Sequence, residues 1–315
     1  MDEVRGFVRR AAELHEPVLV LGQTGTGKNV VARAIHDCGP RRDGPFVTVT
    51  CPNIPPTLIE GQLFGYRRGA FTGATSDHPG LLASAQGGTV FLDEIGALPM
   101  ELQRKLLHAV EERRVLPLGA VREVQFDARI VAATNRDLRA AVEEGAFAED
   151  LYYRLAVLCL ELPPVRERLA DIVPLFEVFL DRAARQQGRA PPALTAAAIA
   201  CLARYGWPGN VREVCNCAHR VVAFGRTDEV RPCDLPVEIA GDADDAAAGG
   251  GTNHGQSGVR TLAQWEAVHI VDTMKLAGGV RRVAANLLGI SLKTLGRKLR
   301  AAGRLGVAGS DGAGE

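Results

Sequence analysis

The chain has 315 residues, enough for two or three domains and a sizeable core, with 37 Lys/Arg against 37 Asp/Glu and a formal net charge of zero. No stretch reaches the roughly 18 apolar residues of a membrane span, and Met1-Asp2-Glu3-Val4-Arg5 lacks the apolar core of an export signal, so a cytoplasmic protein without membrane partners is expected. Seven cysteines, an odd number, argue against a disulfide framework.

In chain order, Pro17-Val18-Leu19-Val20-Leu21 predicts a strand. Gly22-Gln23-Thr24-Gly25-Thr26-Gly27-Lys28 follows it, and then the helical pattern Val30-Val31-Ala32-Arg33-Ala34-Ile35. Strand, glycine loop and helix form a setting in which backbone wraps a polyphosphate. Gly22, Gly25 and Gly27 let amides and the helix N-terminus aim at the anion, and Lys28 supplies a point charge for the β/γ-phosphates. Asn29 stands where a Ser or Thr ordinarily ligates Mg²⁺. Phe46-Val47-Thr48-Val49-Thr50 alternates as a strand does. Gly69-Ala70-Phe71-Thr72-Gly73-Ala74 sets glycines around an apolar residue and a hydroxyl, which suits a sharp loop with an exposed tip. A buried Phe in an ordinary hairpin is the alternative for those six residues alone.

Thr89-Val90-Phe91-Leu92 predicts a buried strand ending at an acidic pair. Asp93 can hold Mg²⁺, and Glu94 can polarise an attacking water. Met100 to Glu112 reads as an amphipathic helix, and Arg129 to Ala133 as another buried strand. Strands alternating with helices imply an α/β fold with a mostly parallel, doubly wound sheet. After Pro163-Pro164 three helices are predicted, Asp171 to Arg185, Thr195 to Tyr205 and Val211 to Phe224, as a helical lid beside the nucleotide site. Cys215-Asn216-Cys217-Ala218-His219 lies within the third and lacks a second ligand pair, so it is read as buried side chains rather than a zinc site.

Residues 240–258 have the composition of a flexible linker. Beyond it, Val259 to Arg304 carries nine Lys/Arg against two acids, Glu266 and Asp272, which points to a basic nucleic-acid module on a mildly acidic body. Thr261-Leu262-Ala263-Gln264 reads as a capping box opening a helix through Ala277. Val280 to Leu288 predicts a second helix, with Val283, Ala284, Leu287 and Leu288 on one face. Gly289 then suits a stop, and Ser291 caps a third helix, Leu292 to Arg300 or a little beyond. Leu292, Leu295 and Leu299 are expected in its core, with Lys293, Thr294, Arg297 and Lys298 outward for a DNA major groove. A protein-docking tail is the alternative.

Leu63-Phe64-Gly65 precedes the hexapeptide, and the two phosphate motifs lie at matching distances on either side. Together these resemble the AAA+ ATPase domain of bacterial enhancer-binding proteins, the activators of sigma-54 RNA polymerase. The basic module resembles their Fis-type helix-turn-helix domain. The resemblance implies ATP and Mg²⁺ as cofactors, with Asp93 toward the metal and Gln23, Thr24, Thr26 and Asn29 among the nucleotide-binding residues. It implies that Gly69, Ala70, Phe71, Thr72, Gly73 and Ala74 contact sigma-54 and move as the γ-phosphate is bound and released. Ala133-Thr134-Asn135-Arg136-Asp137-Leu138 resembles the first sensor, with Asn135 reading the γ-phosphate. Trp207-Pro208-Gly209-Asn210-Val211-Arg212-Glu213 resembles the lid motif whose Arg212 is the second sensor. In Phe147 to Leu155, Arg154 is the arginine offered to a neighbouring subunit's nucleotide, which implies a hexamer, or a hetero-oligomer with a paralogue.

The expected layout is an ATPase subdomain over 1–163, a helical lid over 164–239, a linker over 240–258, the helix-turn-helix domain over 259–305 and a disordered tail over 306–315. The resemblance starts near Val4, so the regulatory domain many relatives carry ahead of the ATPase is expected to be missing. Gln23 and Asn29 stand where the family usually has Glu, Thr50 and Ala156 where it has Asn, Ala148 where it has Arg and Gly296 where it has Tyr. Arg67 and Arg68 stand near a usual acidic residue. The leading expectation is a hexameric ATPase at enhancer DNA that remodels the sigma-54 polymerase closed complex. A regulatory subunit that binds ATP and DNA but hydrolyses weakly, acting with a paralogue or as a repressor, is the alternative. A metabolic P-loop kinase leaves the hexapeptide and the basic module unexplained.

Overall fold

The computed structural model describes residues 1–53, 56–225, 228–241, 270, 273–274, 280–288, 290 and 292–304. The chain divides into two compact units, Met1–Ala248 and Gly249–Glu315. In the first, helix α1 (Asp2–Ala12) leads into strand β1 (Val18–Gly22), α2 (Lys28–Asp37), β2 (Phe46–Thr50), α3 (Pro56–Phe64), the short α4 (Leu81–Ser84), β3 (Thr89–Asp93) and α5 (Met100–Glu112). Strand β4 (Arg129–Thr134), α6 (Leu138–Glu143), α7 (Glu149–Leu155) and β5 (Leu158–Leu162) complete the sheet region.

The five strands are parallel in the order β2-β3-β4-β1-β5. Alternation along β1 sends Val18 and Val20 to one face, where Val4, Val8 and Ile35 of α1 and α2 cover them. Leu19 points to the other face and joins Leu102, Leu106 and Leu151 of α5 and α7. Burial on both faces is what a parallel sheet requires, and the expected doubly wound architecture is the one observed. The register sets Leu21 beside Thr134 and Asp93 beside Ala133, so the carboxyl ends of β1, β3 and β4 lie together. Ligands of open α/β sheets bind at that edge.

Helices α8 (Ile172–Gln186), α9 (Ala196–Arg204) and α10 (Asn210–Phe224) pack around Phe176, Leu180, Trp207, Val214 and Ala218. The expected helices are all present, with ends displaced by a residue or two. Several elements lie outside the sequence expectations, α1, α3, α4, α6, α7 and β5 among them. Strand β5 sits at the sheet edge with Cys159 and Glu161 exposed, so only Leu158, Leu160 and Leu162 announce it. In α1 the buried Val4, Val8, Ala11 and Ala12 have helical spacing. Arg129, itself buried, donates to the Ala11 and Ala12 carbonyls (2.5 and 3.2 Å) and so satisfies the end of that helix. Among the described residues no helix is long and apolar enough to cross a membrane.

In the second unit, helices over Arg281–Leu287 and Leu292–Arg304 pack through Ala284, Ala285 and Leu295, with Ile270 in the same cluster. Leu292, expected in the core, is 54% exposed, because it opens its helix and projects past the packed turn. Arg297 is exposed as expected, whereas Thr294 and Lys298 are half-buried. Ser291, the Lys293 side chain, Gly289, most of the expected helix over 261–277, and nearly all of the linker and tail lie outside the described residues. A Cβ at Gly296 would meet no heavy atom within 4 Å. Gly296→Ala is therefore expected to stabilise this helix by about 1 kcal/mol, measured as slower amide exchange over 292–304 with unchanged exchange in the sheet.

Candidate functional site

Strand β1 ends at Gly22, and the chain turns through residues 23–27 before α2 begins at Lys28. Gly25 and Gly27 take φ of +83° and +103°, which residues bearing a Cβ rarely adopt. A Cβ at Gly25 would also run into the Gly209 carbonyl. Lys28 is buried; its Nζ donates to the Gly22 carbonyl at 2.9 Å and lies 3.4 Å from Glu94 Oε1. Glu94 occupies a left-handed turn after β3, and its Oε2 accepts from the Asn135 amide at 3.1 Å. Asn135 Nδ2 in turn donates to Thr24 Oγ1 at 2.9 Å. Three strand ends are thus cross-linked around the loop.

A cleft of about 260 Å³ is lined by Thr24, Gly25, Gly27, Lys28, Asn29, Asp93 and Glu94, and from the lid by Phe179, Val211 and Arg212. Gly22, Gln23 and Asn135 line a different cleft, of about 540 Å³, with Arg139, Tyr152 and Glu161. Thr26 is buried, and its hydroxyl braces the loop by donating to the Gln23 carbonyl at 2.8 Å. Arg154 is exposed on α7 and lines neither cleft. Asn29 turns its Oδ1 onto the Val30 amide at 2.9 Å. Thr50 lies in register beside Asp93. The Ala148 amide donates to Gln103 Oε1 at 2.7 Å, and Ala156 ends α7.

Three residues to which the sequence assigned no role also touch the loop. Arg166 reaches the Gln23 side chain, Arg168 the Thr26 carbonyl, and Asn210 the Thr24 carbonyl. Asn210 lay inside the quoted lid motif. An Asn following Gly at a helix start was the available signal for a left-handed turn.

Burial and the neighbouring Glu94 carboxylate hold the Asp93 carboxyl above its ordinary range, with Lys28 opposing them. Two carboxylates share one ammonium, a deficit that a divalent cation carried with a polyphosphate would make good. Among the described residues no three His, Cys, Asp or Glu side chains gather to hold a metal without such a ligand. The Cys51 thiol is pushed up to about 12, chiefly by burial and then by Asp93, and is inert.

The hexapeptide stands on a separate frame. Tyr66 and His78 exchange backbone hydrogen bonds (2.9 and 2.8 Å), and the Gly69 amide closes the loop onto the Ala74 carbonyl at 2.9 Å. Gly65 and Gly80, both at positive φ, meet so closely at the base that a Cβ on either would strike the other strand's backbone. Asp77 receives Arg67 Nη1 at 2.5 Å and the Arg68 amide at 2.8 Å, which hold its carboxyl below the usual range. Leu118 pairs with Gly65 and Arg67 from a second loop. Phe71 rests edge-on against Tyr66 at 5.0 Å and remains 39% exposed, with Thr72 exposed beside it. The buried-Phe hairpin is therefore not what forms.

Asp93→Asn is expected to raise the melting temperature at neutral pH. The native carboxyl has a raised pKa, so folding penalises its charged form once pH exceeds that value. The gain shrinks as pH falls through that window and vanishes below the unfolded value of 3.8, which melting curves at pH 7 and pH 3 measure.

Residues 1–161 match the Sigma-54 interaction domain family, 166–251 the AAA+ ATPase lid domain and 261–301 the Fis family of bacterial regulatory proteins. The Nif-specific regulatory protein of Azotobacter vinelandii is 41% identical over 314 residues, covering 95% of this chain and 57% of that protein. The transcriptional regulatory protein FlbD of Caulobacter vibrioides is 39% identical, covering 95% and 68%. The chain thus spans little more than half of the Azotobacter relative. The crystal structure of NtrX from Brucella abortus in complex with ADP is similar with a TM-score of 0.72 and 30% identity, over 96% of this chain and 68% of that one. With an AAA+ sigma-54 interaction domain, its lid and a Fis-type helix-turn-helix in sequence, this chain belongs to the sigma-54-dependent transcriptional regulators.

Proposed function

We propose that this chain is an ATP-dependent activator that binds enhancer DNA and remodels the sigma-54 polymerase closed complex so that promoter DNA opens. The observation that carries this reading is the unaltered hexapeptide, held with Phe71 and Thr72 exposed, in one unit with a phosphate loop. NtrX from Brucella abortus, a structural neighbour, has been crystallised with ADP and with ATP, which supports nucleotide binding by this chain. The proposed layout is ATPase subdomain 1–163, lid 164–239, linker 240–258 and DNA-binding domain 259–305.

When bound, Mg²⁺ and ATP supply the γ-phosphoryl group and the positive charge that Asp93 and Glu94 share too little of. The loop amides and Lys28 would hold the phosphates, and Asp93 would help hold the metal. Glu94 orients the water by accepting its hydrogen bond, while the Asn135 amide keeps that carboxylate in place at 3.1 Å. Arg212 reaches the same cleft from the lid. Arg154, exposed and away from both clefts, serves a neighbour's nucleotide in a hexamer. Lys293, Thr294, Arg297 and Lys298, with Ser291, are the residues that contact DNA in this reading.

A second reading, a DNA-binding subunit with weak hydrolysis of its own, draws on Asn29, whose side chain is committed to its own helix. Steady-state ATP hydrolysis beside a Lys28→Ala control decides between the two; turnover no higher than the control favours the second. Phe71→Ala and Thr72→Ala are expected to leave ATP turnover within about twofold of wild type, as exposed substitutions away from the cleft should. Open-complex formation should be lost, measured on promoter DNA in parallel. Equal loss of both activities would sink the assignment of the loop.

A further inference from the structure

Four consecutive residues of the phosphate loop each accept a hydrogen bond from the lid side. Gln23 Oε1 accepts from Arg166 Nη1 at 3.2 Å and from Asn210 Nδ2 at 3.4 Å. The carbonyls of Thr24, Gly25 and Thr26 accept from Asn210 Nδ2 (3.1 Å), the Arg212 amide (3.3 Å) and Arg168 Nη2 (3.0 Å). Asn210 reaches two of the four, and its Oδ1 also holds the Val165 amide at 2.8 Å. The residue is 1% exposed, opens α10 and has φ of +53°. Glycine would satisfy that backbone at least as well, so the turn alone does not account for a side chain with every polar atom engaged.

We propose that Asn210 is a positioning residue that couples the phosphate loop to the lid and so sets Arg212, two residues further on, according to what the loop holds. The inference rests on the nucleotide reading above. Its physical content is that the Thr24 carbonyl draws its donor from the buried Asn210 amide, so the two move together. An anion that draws in the loop amides shifts that carbonyl, and the Asn210 amide is bound to follow. Because Asn210 is the first residue of α10, its displacement moves the helix start that carries Arg212.

The test is hydrogen exchange of the full chain with and without ATP, together with ATP affinity by titration. In wild type, ATP should protect residues 22–28 and 207–216 together. Asn210→Gly keeps the left-handed backbone and removes the bridge. It should weaken ATP binding about tenfold and, at saturating ATP, keep protection at 22–28 while losing it at 207–216. A residue of merely structural importance would lower the melting temperature and leave both ATP-dependent protections in place; that result overturns the proposal. Arg166→Ala, an exposed change, should weaken protection at 207–216 in part. Should Asn210→Gly fail to fold, Asn210→Asp, which keeps an acceptor for Val165 but loses the donor, is read by the same two segments. Absence of protection at 22–28 in wild type, or its persistence in Lys28→Ala, would instead remove the nucleotide reading itself.

Discussion

A glycine loop can present its amides to an anion only if its carbonyls find donors elsewhere, and that requirement organises the nucleotide site. Here the donors come from Arg168, Asn210 and the Arg212 backbone, all contributed by chain beyond Pro164. The α/β sheet supplies the loop, but the lid completes its hydrogen bonding. Gly25 lies so close to the Gly209 carbonyl that a single methyl would separate the two elements. The lid is thus a working part of the phosphate site, and not merely a cover beside it.

The second organising fact is a shortage of positive charge. Lys28 faces both Glu94 and the half-buried Asp93, and burial leaves the latter short of counter-charge. Any ligand that brings cation and phosphate together relieves this and competes for Lys28, which releases Glu94 from one of its two partners. Beyond Glu94, the turn Ile95–Ala97 packs on the turn Cys51–Asn53 that follows β2. From α3, Ile59, Leu63 and Phe64 are buried in the same core as Ile95, and the hexapeptide frame begins at Gly65. Glu94 and the exposed loop are therefore joined by packed elements.

Much of this was legible in the sequence because the decisive features are local. A glycine loop between strand and helix, an acidic pair at a strand end and period-3.6 stripes each have a physical cause within a few residues. Met100–Glu112 came out with both ends in place, and the parallel sheet followed from alternation of elements. What escaped depends on distant partners. Edge strand β5 shows half its side chains to solvent, and Leu292 carries a core residue's spacing at a helix end that packs against little. Arg166, Arg168 and Asn210 reach the loop through contacts with residues some 140 to 190 positions earlier. No local pattern encodes those. Asp77 likewise clasps Arg67 and the Arg68 amide at the loop base, a pairing that their positions in the sequence do not announce.

The departures from the family pattern look different once their surroundings are considered. A site that has lost its purpose accumulates polar groups without partners, since nothing selects for their satisfaction. At positions 23, 29 and 148 the opposite holds. Gln23 receives Arg166 and Asn210, Asn29 accepts from its own helix, and the Ala148 amide is held by the buried Gln103. The hexapeptide frame, built on Gly65, Asp77, Gly80 and Leu118, shares no residue with the nucleotide cleft. The departures at 23, 29, 50, 148 and 156 lie outside that frame, although Thr50 adjoins the Cys51–Asn53 turn that links Glu94 to α3.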